Sequence, residues 1–218
     1  MRSRLGLFHF AILVPDRSSL GRFVRHLGAI NAPAGASDHL VSEAFYLQDP
    51  DNLGIEVYAD RPRNTWKRVG RELMMATDPI DIGELRASAD GPWTGMPAGT
   101  MIGHVHLHVG DIAAASSFFS DAIGFDRMVW NYPRALFLAA GGYHHHLGTN
   151  TWAGRAPSPA ADEAQLLEWT VMLPDDATRT ALAGSLNRAG HATKQEGTSL
   201  AVRDPWGTQI RFEIAPAR

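Results

Sequence analysis

Histidines are concentrated in two short segments of this sequence, where they are candidates for metal binding or proton transfer near neutral pH. In GHVHLHVGD, His104, His106 and His108 alternate with apolar residues, so a strand places all three imidazoles on one face. The second segment, 144–146, consists of three consecutive histidines, so a strand turns inward either His145 or the two residues beside it. The chain has no cysteine, so any metal that it holds is bound by His, Asp or Glu.

The composition is that of an ordinary soluble globular protein. The 218 residues are 44% hydrophobic and 20% charged with a net charge of −3, which suits one or two domains. Lys and Arg form no run longer than two, which argues against a nucleic-acid partner. The apolar segment 5–14 imitates a secretory signal, but His9 interrupts it and Pro15 ends it. No segment has the roughly 18 uninterrupted apolar residues of a membrane span. We therefore expect a cytoplasmic protein with no membrane partner.

One sequence pattern occurs three times: an alternating strand that ends in Asp, an amphipathic helix, and further strands. The three copies begin with the segments Phe8–Asp16, Gly103–Asp111 and Leu167–Asp175, and each Asp begins a helix. The first and third copies close with similar hairpins around Asp-Pro turns, Tyr46–Ala59 and Val202–Ala215. The pattern predicts three βαβββ modules and an α+β fold.

The segment between the first two copies has the composition of a connector. It contains several Arg, Pro and Gly residues and one short helical stretch around 82–89. We therefore expect a single βαβββ module over 1–62, a connector over 63–100, and two modules paired with each other over 101–218.

Paired βαβββ modules with His in the first strand and Glu in the last are similar to the vicinal oxygen chelate superfamily, which includes glyoxalases, extradiol dioxygenases and antibiotic-resistance proteins. Within it, the segments GASDHLVSEAFYLQDPDNLGIEVYADRP, MMATDPID, GHVHLHVGD and GGYHHHLGTNTWAG resemble the two-domain catechol 2,3-dioxygenase-like proteins. The resemblance implies half-open barrels, each built from two modules around one metal. That family has four modules, so we expect that this chain lacks the first of them.

The resemblance implies that His9 and Glu56 are two ligands of a 2-His-1-carboxylate triad for Fe(II), or for Mn(II) or another divalent metal. His9 lies seven residues before Asp16, and Glu56 lies seven residues after Asp49. Strand alternation in GIEVY places Glu56 on the face opposite to its apolar neighbours. Such a triad leaves open positions on the metal for a catecholate and O2. The alternative is a histidine at a strand edge and a solvated glutamate.

The resemblance also implies catalytic roles for Tyr46 and His39. Tyr46 lies ten residues before Glu56, and His39 lies in the preceding segment. Either side chain is suited to acid/base or orienting work near neutral pH. The alternative is a tyrosine that packs its ring on the sheet and a histidine in a loop.

The third copy differs from the metal-binding pattern. It has Glu168 in the first strand and Arg211 where the last strand should carry a carboxylate, and a cation there opposes metal binding. These two residues are expected to form an ion pair. A second metal site at His104, His145 and Glu168 is the alternative.

The expected function is an extradiol ring-cleaving dioxygenase that acts on a catechol-type diol with a divalent metal and O2. A glyoxalase-like lyase or isomerase and a non-catalytic binding protein are the alternatives. The first module needs a partner for its exposed strand edge. It either packs on the other two modules or pairs with a second copy in a homodimer, where two copies of His9 and Glu56 meet. A homodimer is expected.

Overall fold

The computed structural model describes residues 4–216, which form three βαβββ modules and a connector. The first module consists of strand β1 (Gly6–Leu13), helix α1 (Arg17–Ala29) and strands β2 (Gly35–Asp38), β3 (Ser42–Gln48) and β4 (Gly54–Asp60). The connector consists of a 3-10 turn (Arg63–Thr65), the two-residue strands β5 (Arg68–Val69) and β6 (Glu72–Leu73), and the short helix α2 (Ile82–Ala87).

The other two modules repeat the order of the first. The second consists of β7 (Met101–His108), α3 (Ile112–Ala115), its π-helical continuation (Ser116–Ala122), β8 (Asp126–Val129), β9 (Ala135–Ala139) and β10 (Leu147–Asn150). The third consists of β11 (Glu168–Leu173), α4 (Asp176–Arg188), β12 (Thr193–Glu196), β13 (Ser199–Arg203) and β14 (Gln209–Ile214).

The start of each module helix follows from the repeated Asp. Its carboxylate accepts a hydrogen bond of 2.7 Å from the backbone N–H three residues further along, which satisfies one of the free donors of the first helical turn. The three caps are Asp16, Asp111 and Asp175. The predicted three modules and the short helix of the connector are confirmed.

The first two modules share one sheet, which curls into a half-barrel. Its eight strands run in the order β2-β3-β4-β1-β7-β10-β9-β8, so the two modules meet where β1 pairs with β7 in antiparallel orientation. The third module forms a separate sheet in the order β11-β14-β13-β12.

This sheet corrects the expected pairing of the second module with the third. The first strand of the second module hydrogen-bonds to the first module, which therefore finds its partner within the same chain. The β1 edge is filled by β7, so it is closed to a second copy, and the shared His9 and Glu56 site of the expected dimer has no basis there. The domain limits at 62 and 100 and the homodimer itself stay predictions.

Two apolar cores hold the helices against the outside of the half-barrel. In the first module, Leu20, Phe23 and Val24 of α1 pack on the sheet with Leu85 of the connector helix. In the second core, residues of the second module pack against the third, as with the fully buried pair Phe119 and Leu186. The third module therefore supports the half-barrel through apolar residues of its helix and its strands, without joining its sheet. No helix within residues 4–216 is long and apolar enough to cross a membrane.

The close approach of β4 to β1 depends on Gly54. A Cβ atom at this position would lie 2.3 Å from the backbone oxygen of Phe8 and 2.8 Å from Cβ of His9. We therefore predict that Gly54→Ala lowers the free energy of unfolding by about 1–3 kcal/mol, because the backbone must shift. The matched control is Gly35→Ala in β2, where the nearest atom is Cβ of Tyr46 at 3.7 Å and we expect a change within about 0.5 kcal/mol. Urea denaturation measures both, and equal losses for the two variants would contradict the prediction.

Candidate metal centre

Three buried side chains from three adjacent strands converge on one point inside the half-barrel. His9 Nε2 lies 3.0 Å from Glu56 Oε2, His104 Nε2 lies 3.3 Å from the same oxygen, and the two nitrogens are 3.3 Å apart. Within residues 4–216 this is the one group of three His, Asp, Glu or Cys whose ligand atoms lie within 4.8 Å of one another. The arrangement is two imidazole nitrogens and one carboxylate oxygen at the corners of a small triangle.

The strand register explains why these three side chains meet. Ala11 in β1 lies opposite Glu56 in β4 on one side and opposite His104 in β7 on the other. His9 is two residues before Ala11, so both face the same side of β1. Ala11 is small and fully buried. The longer side chains of Glu56 and His104 on either side of it therefore reach past it toward His9.

The protonation states favour a cation at the triangle. Burial alone would raise the pKa of Glu56, but contacts with His104 and His9 lower it well below its usual range. Burial lowers the pKa of His104 to about 4, although the neighbouring Glu56 opposes this effect. At neutral pH the carboxylate is therefore charged and the His104 imidazole is neutral, as a metal requires of its ligands.

The distances and the donor set fit a divalent metal. With bonds of about 2.1 Å to nitrogen and oxygen, neighbouring ligand atoms of an octahedral metal lie about 3.0 Å apart. The observed separations of 3.0–3.3 Å match one face of such an octahedron. Two histidines and one carboxylate on a single face are typical of non-haem Fe(II) oxygenases.

The sequence predicted His9 and Glu56 for this point but placed His104 elsewhere. The alternative site that combined His104, His145 and Glu168 is wrong, because Glu168 lies in the sheet of the third module. There it accepts hydrogen bonds of 2.7 and 2.9 Å from the guanidinium of Arg211. The expected ion pair of Glu168 and Arg211 is confirmed.

Tyr46 and His39 lie beside the triangle and contact each other. Tyr46 is opposite Glu56 in the sheet, and its ring centroid is 5.7 Å from that of His9. His39 Nδ1 lies 2.6 Å from the carbonyl oxygen of Ala76, which accepts only, so the ring proton is on Nδ1. In the neutral ring Nε2 then carries a lone pair, which accepts a hydrogen bond from the Tyr46 hydroxyl, whose oxygen is 2.5 Å away. Burial and the charge of Glu56 raise the pKa of Tyr46 well above its ordinary value, so Tyr46 is a neutral donor.

These groups open onto a cavity of about 1070 Å³. Its polar lining includes His9, Glu56, Tyr46, His39, His106 and His145. Phe8, Phe137 and Trp152 form an aromatic wall, in which the rings of Phe8 and Trp152 meet edge to face at 5.6 Å. An aromatic wall beside a polar centre suits a flat ring with polar substituents.

The structure shows what the other histidines of the two segments do. His145 faces the cavity, as one reading of the consecutive histidines predicted. His106 and His108 share Asn150, whose amide nitrogen donates to His106 Nε2 at 2.9 Å and whose oxygen accepts from His108 Nδ1 at 2.7 Å. The common face of the three strand histidines is confirmed, since His104, His106 and His108 all lie on the inside of the half-barrel. The sequence did not predict that these histidines have different partners, because strand alternation does not reveal the contacts with Asn150.

Comparisons with known proteins agree with this site. The family model described as the Glyoxalase/Bleomycin resistance protein/Dioxygenase superfamily matches residues 101–212. A catechol-2,3-dioxygenase of Bacillus subtilis strain 168 is 46% identical over 220 residues, which cover 98% of this chain and 76% of the relative.

A solved structure shows the same fold. A Bacillus subtilis protein assigned to the dioxygenases superimposes with a TM-score of 0.62 at 11% identity, over 97% of this chain and 63% of that protein. A 2,3-dioxygenase of Pseudomonas sp. KL28 aligns with a TM-score of 0.45 at 16% identity, over 97% of this chain and 73% of the other. This chain thus spans just under two thirds of the first of these structures.

The triangle predicts which replacements abolish metal binding. Glu56→Gln and His104→Ala should each lose most of the bound metal, because each removes one of three ligands. The matched control is Glu168→Gln, which removes a carboxylate from the third module and should retain the metal. Elemental analysis after dialysis measures the content, and retention by His104→Ala with loss in Glu168→Gln would move the site to the third module.

Proposed function

This chain belongs to the glyoxalase/bleomycin resistance protein/dioxygenase superfamily and is an oxidoreductase of the dioxygenase class, and we propose that it is an extradiol ring-cleaving enzyme. Its substrate is a catechol-type diol, its second substrate is O2, and its metal is Fe(II) or Mn(II). The observation that supports this most strongly is the complete 2-His-1-carboxylate triangle of His9, Glu56 and His104 within one chain.

The metal would be held by His9, Glu56 and His104, and a triad of this kind leaves further coordination positions for ligands from the cavity. When bound, a redox-active metal supplies the electron-transfer chemistry between an electron-rich catecholate and O2. Three protein ligands suit this chemistry better than the four, two His and two Glu, that two copies of His9 and Glu56 would supply between two chains.

The Tyr46 and His39 pair gives the protein a path for one substrate proton. The Tyr46 hydroxyl donates its proton to His39 Nε2, and its oxygen can accept a hydrogen bond as well. A substrate hydroxyl at this position donates to the Tyr46 oxygen, and proton transfer to Tyr46 is matched by transfer of the tyrosine proton to His39. The Ala76 carbonyl holds the proton on His39 Nδ1 and so keeps Nε2 ready to accept.

The aromatic wall of the cavity orients the substrate ring. Phe8 packs against His9 and His108 with centroid distances of 5.0 and 4.7 Å, so its ring borders the triangle directly. A planar substrate that packs on Phe8 and Phe137 is held with its hydroxyls toward the triangle and displaces water from the cavity. The cytoplasmic location, the homodimer and the nature of the ring substituents stay predictions.

Oxygen uptake tests the proposed reaction. Protein loaded anaerobically with Fe(II) or Mn(II) should consume O2 when catechol is added, with one ring-cleaved product for each O2. The zinc-loaded protein should bind the diol without consuming O2, because zinc has no redox chemistry. If neither the iron nor the manganese form consumes O2 with any diol tested, the lyase or binding-protein alternatives replace the proposal.

Replacement of Tyr46 tests the proton path. Tyr46→Phe should leave metal content unchanged and slow turnover on the order of 10²-fold, as is typical when one acid/base group is lost. Tyr132→Phe is the matched control, since Tyr132 also lines the cavity but its hydroxyl contacts Thr77 at 2.6 Å. Steady-state kinetics with metal analysis compares the two variants. Equal turnover in wild type and Tyr46→Phe would leave Tyr46 with a packing role alone.

A further inference from the structure

A segment of the connector, residues 72–78, joins the two edges of the eight-stranded sheet. The edge strands are β2 in the first module and β8 in the second. The segment contacts the residues after β8 through Glu72 and the end of β2 through Asp78. Between these two points, residues 75–77 line the cavity. We call residues 72–78 the strap, because they span the half-barrel from one edge to the other.

Glu72 attaches the strap to the second module. Its Oε1 accepts hydrogen bonds from the backbone N–H groups of Trp130 at 2.6 Å and Asn131 at 2.7 Å, and its Oε2 accepts from the side-chain amide of Asn131 at 2.5 Å. Burial raises the pKa of Glu72, but these N–H groups outweigh burial and lower the pKa below its ordinary value. The carboxylate is therefore charged at neutral pH, which makes these hydrogen bonds stronger than neutral ones.

The other end of the strap holds a residue of the proton path. Asp78 exchanges two backbone hydrogen bonds of 2.9 Å with Asp38, the last residue of β2. Two residues before Asp78, the carbonyl oxygen of Ala76 lies 2.6 Å from His39 Nδ1. The bridge at Asp78 alone would allow the strap to pivot. Attachment at Glu72 fixes the second end, so the position of the Ala76 carbonyl depends on both.

A second polar contact joins the strap to the second module at Thr77. Its hydroxyl oxygen lies 2.6 Å from that of Tyr132, which is one hydrogen bond between neutral groups. The Tyr132 ring also packs edge to face on Phe137 at 5.7 Å, so it keeps its place when the hydroxyl is removed. Among the described residues, Glu72 therefore makes the strongest polar contact between the strap and the second module.

We propose that Glu72 is a positioning residue, which acts through the strap to hold the Ala76 carbonyl against His39 and so keeps His39 Nε2 aligned with the Tyr46 hydroxyl. Glu72 is not among the described residues that line the cavity, so it acts on the reaction at a distance. Its effect on turnover rests on the proposed function, whereas its effect on the hydrogen bond of His39 does not.

The kinetic test compares two carboxylates of the connector. Glu72→Ala should lower kcat about 10-fold with metal content unchanged and a smaller change in KM, because His39 loses its fixed orientation. Glu72→Gln keeps an oxygen that accepts from both backbone N–H groups and should stay within about 3-fold of wild type. The matched control is Asp81→Ala, which removes a carboxylate that accepts from Glu84 N–H at 2.8 Å outside the strap. Its kcat should stay within about 2-fold of wild type.

A double replacement separates positioning from a general loosening of the structure. In Tyr46→Phe the hydroxyl that His39 accepts from is absent, so the orientation of His39 no longer matters for this proton. Glu72→Ala should therefore lower kcat about 10-fold in wild type but less than about 2-fold in Tyr46→Phe. A purely structural role predicts the same factor in both backgrounds.

The direct test is proton NMR of the imidazole N–H groups in the zinc-loaded full chain, where no turnover occurs. Spectra of wild type and His39→Gln identify the Nδ1–H signal of His39. The hydrogen bond to Ala76 should slow exchange of this proton with water in wild type, Glu72→Gln and Asp81→Ala. Glu72→Ala should speed this exchange about 10-fold or more, because the Ala76 carbonyl is no longer held in place.

Three results would overturn the inference: unchanged exchange of the His39 proton in Glu72→Ala, an equal loss of kcat in Glu72→Ala and Asp81→Ala, or a full loss that persists in Tyr46→Phe. If Glu72→Ala does not fold, Glu72→Asp, whose carboxylate is one methylene closer to the backbone, takes its place with the same outcomes. Failure of the proposed function appears separately, as absence of O2 uptake by the metal-loaded wild type. The exchange measurement then still decides whether Glu72 holds the strap against His39.

Discussion

The antiparallel pairing of β1 with β7 is the interaction on which the site depends. It joins two modules whose candidate metal ligands His9 and His104 are 95 residues apart in the chain. The hydrogen bonds between these strands bring His104 opposite Ala11, beside the carboxylate of Glu56. Without this pairing the first module holds only two ligands. The same pairing brings the second-module segment with His144 to the end of β4, where Asp60 lies.

The apolar cores fix this pairing indirectly. Both strands turn their other face toward helices: Ile12 packs with the first core, while Val105 and Leu107 lie in the second. A slip of one residue in either strand would turn these apolar side chains into the cavity and the histidines into the cores. Burial of the outer face therefore sets the register, and the register sets the distances at the triangle.

The sequence predicted the parts of this protein better than their assembly. Strand alternation and the repeated Asp predicted three modules, and the family resemblance selected His9 and Glu56, which lie together, and His39 and Tyr46, which contact each other. Which modules pair with each other was not predictable in this way. The first strands of all three modules have the same alternating pattern, and alternation within one strand does not indicate which strand lies beside it. His104 was misplaced for that reason. Asp60 was overlooked because its contact is with His144 of another module, 84 residues later in the chain.

Strand β4 supplies two carboxylates that contact buried histidines. Glu56 and Asp60 are four residues apart and thus face the same side, one toward His9 and His104 and the other toward His144 and Tyr143. The two carboxylates differ in what balances them. Asp60 is partly exposed and lies within hydrogen-bond distance of His144 Nε2 and the Tyr143 hydroxyl, whereas Glu56 is buried beside His104, whose pKa burial lowers to about 4. A divalent cation at the triangle would compensate the charge of Glu56 and would use the lone pairs of both histidines, so its binding would also stabilise the paired half-barrel.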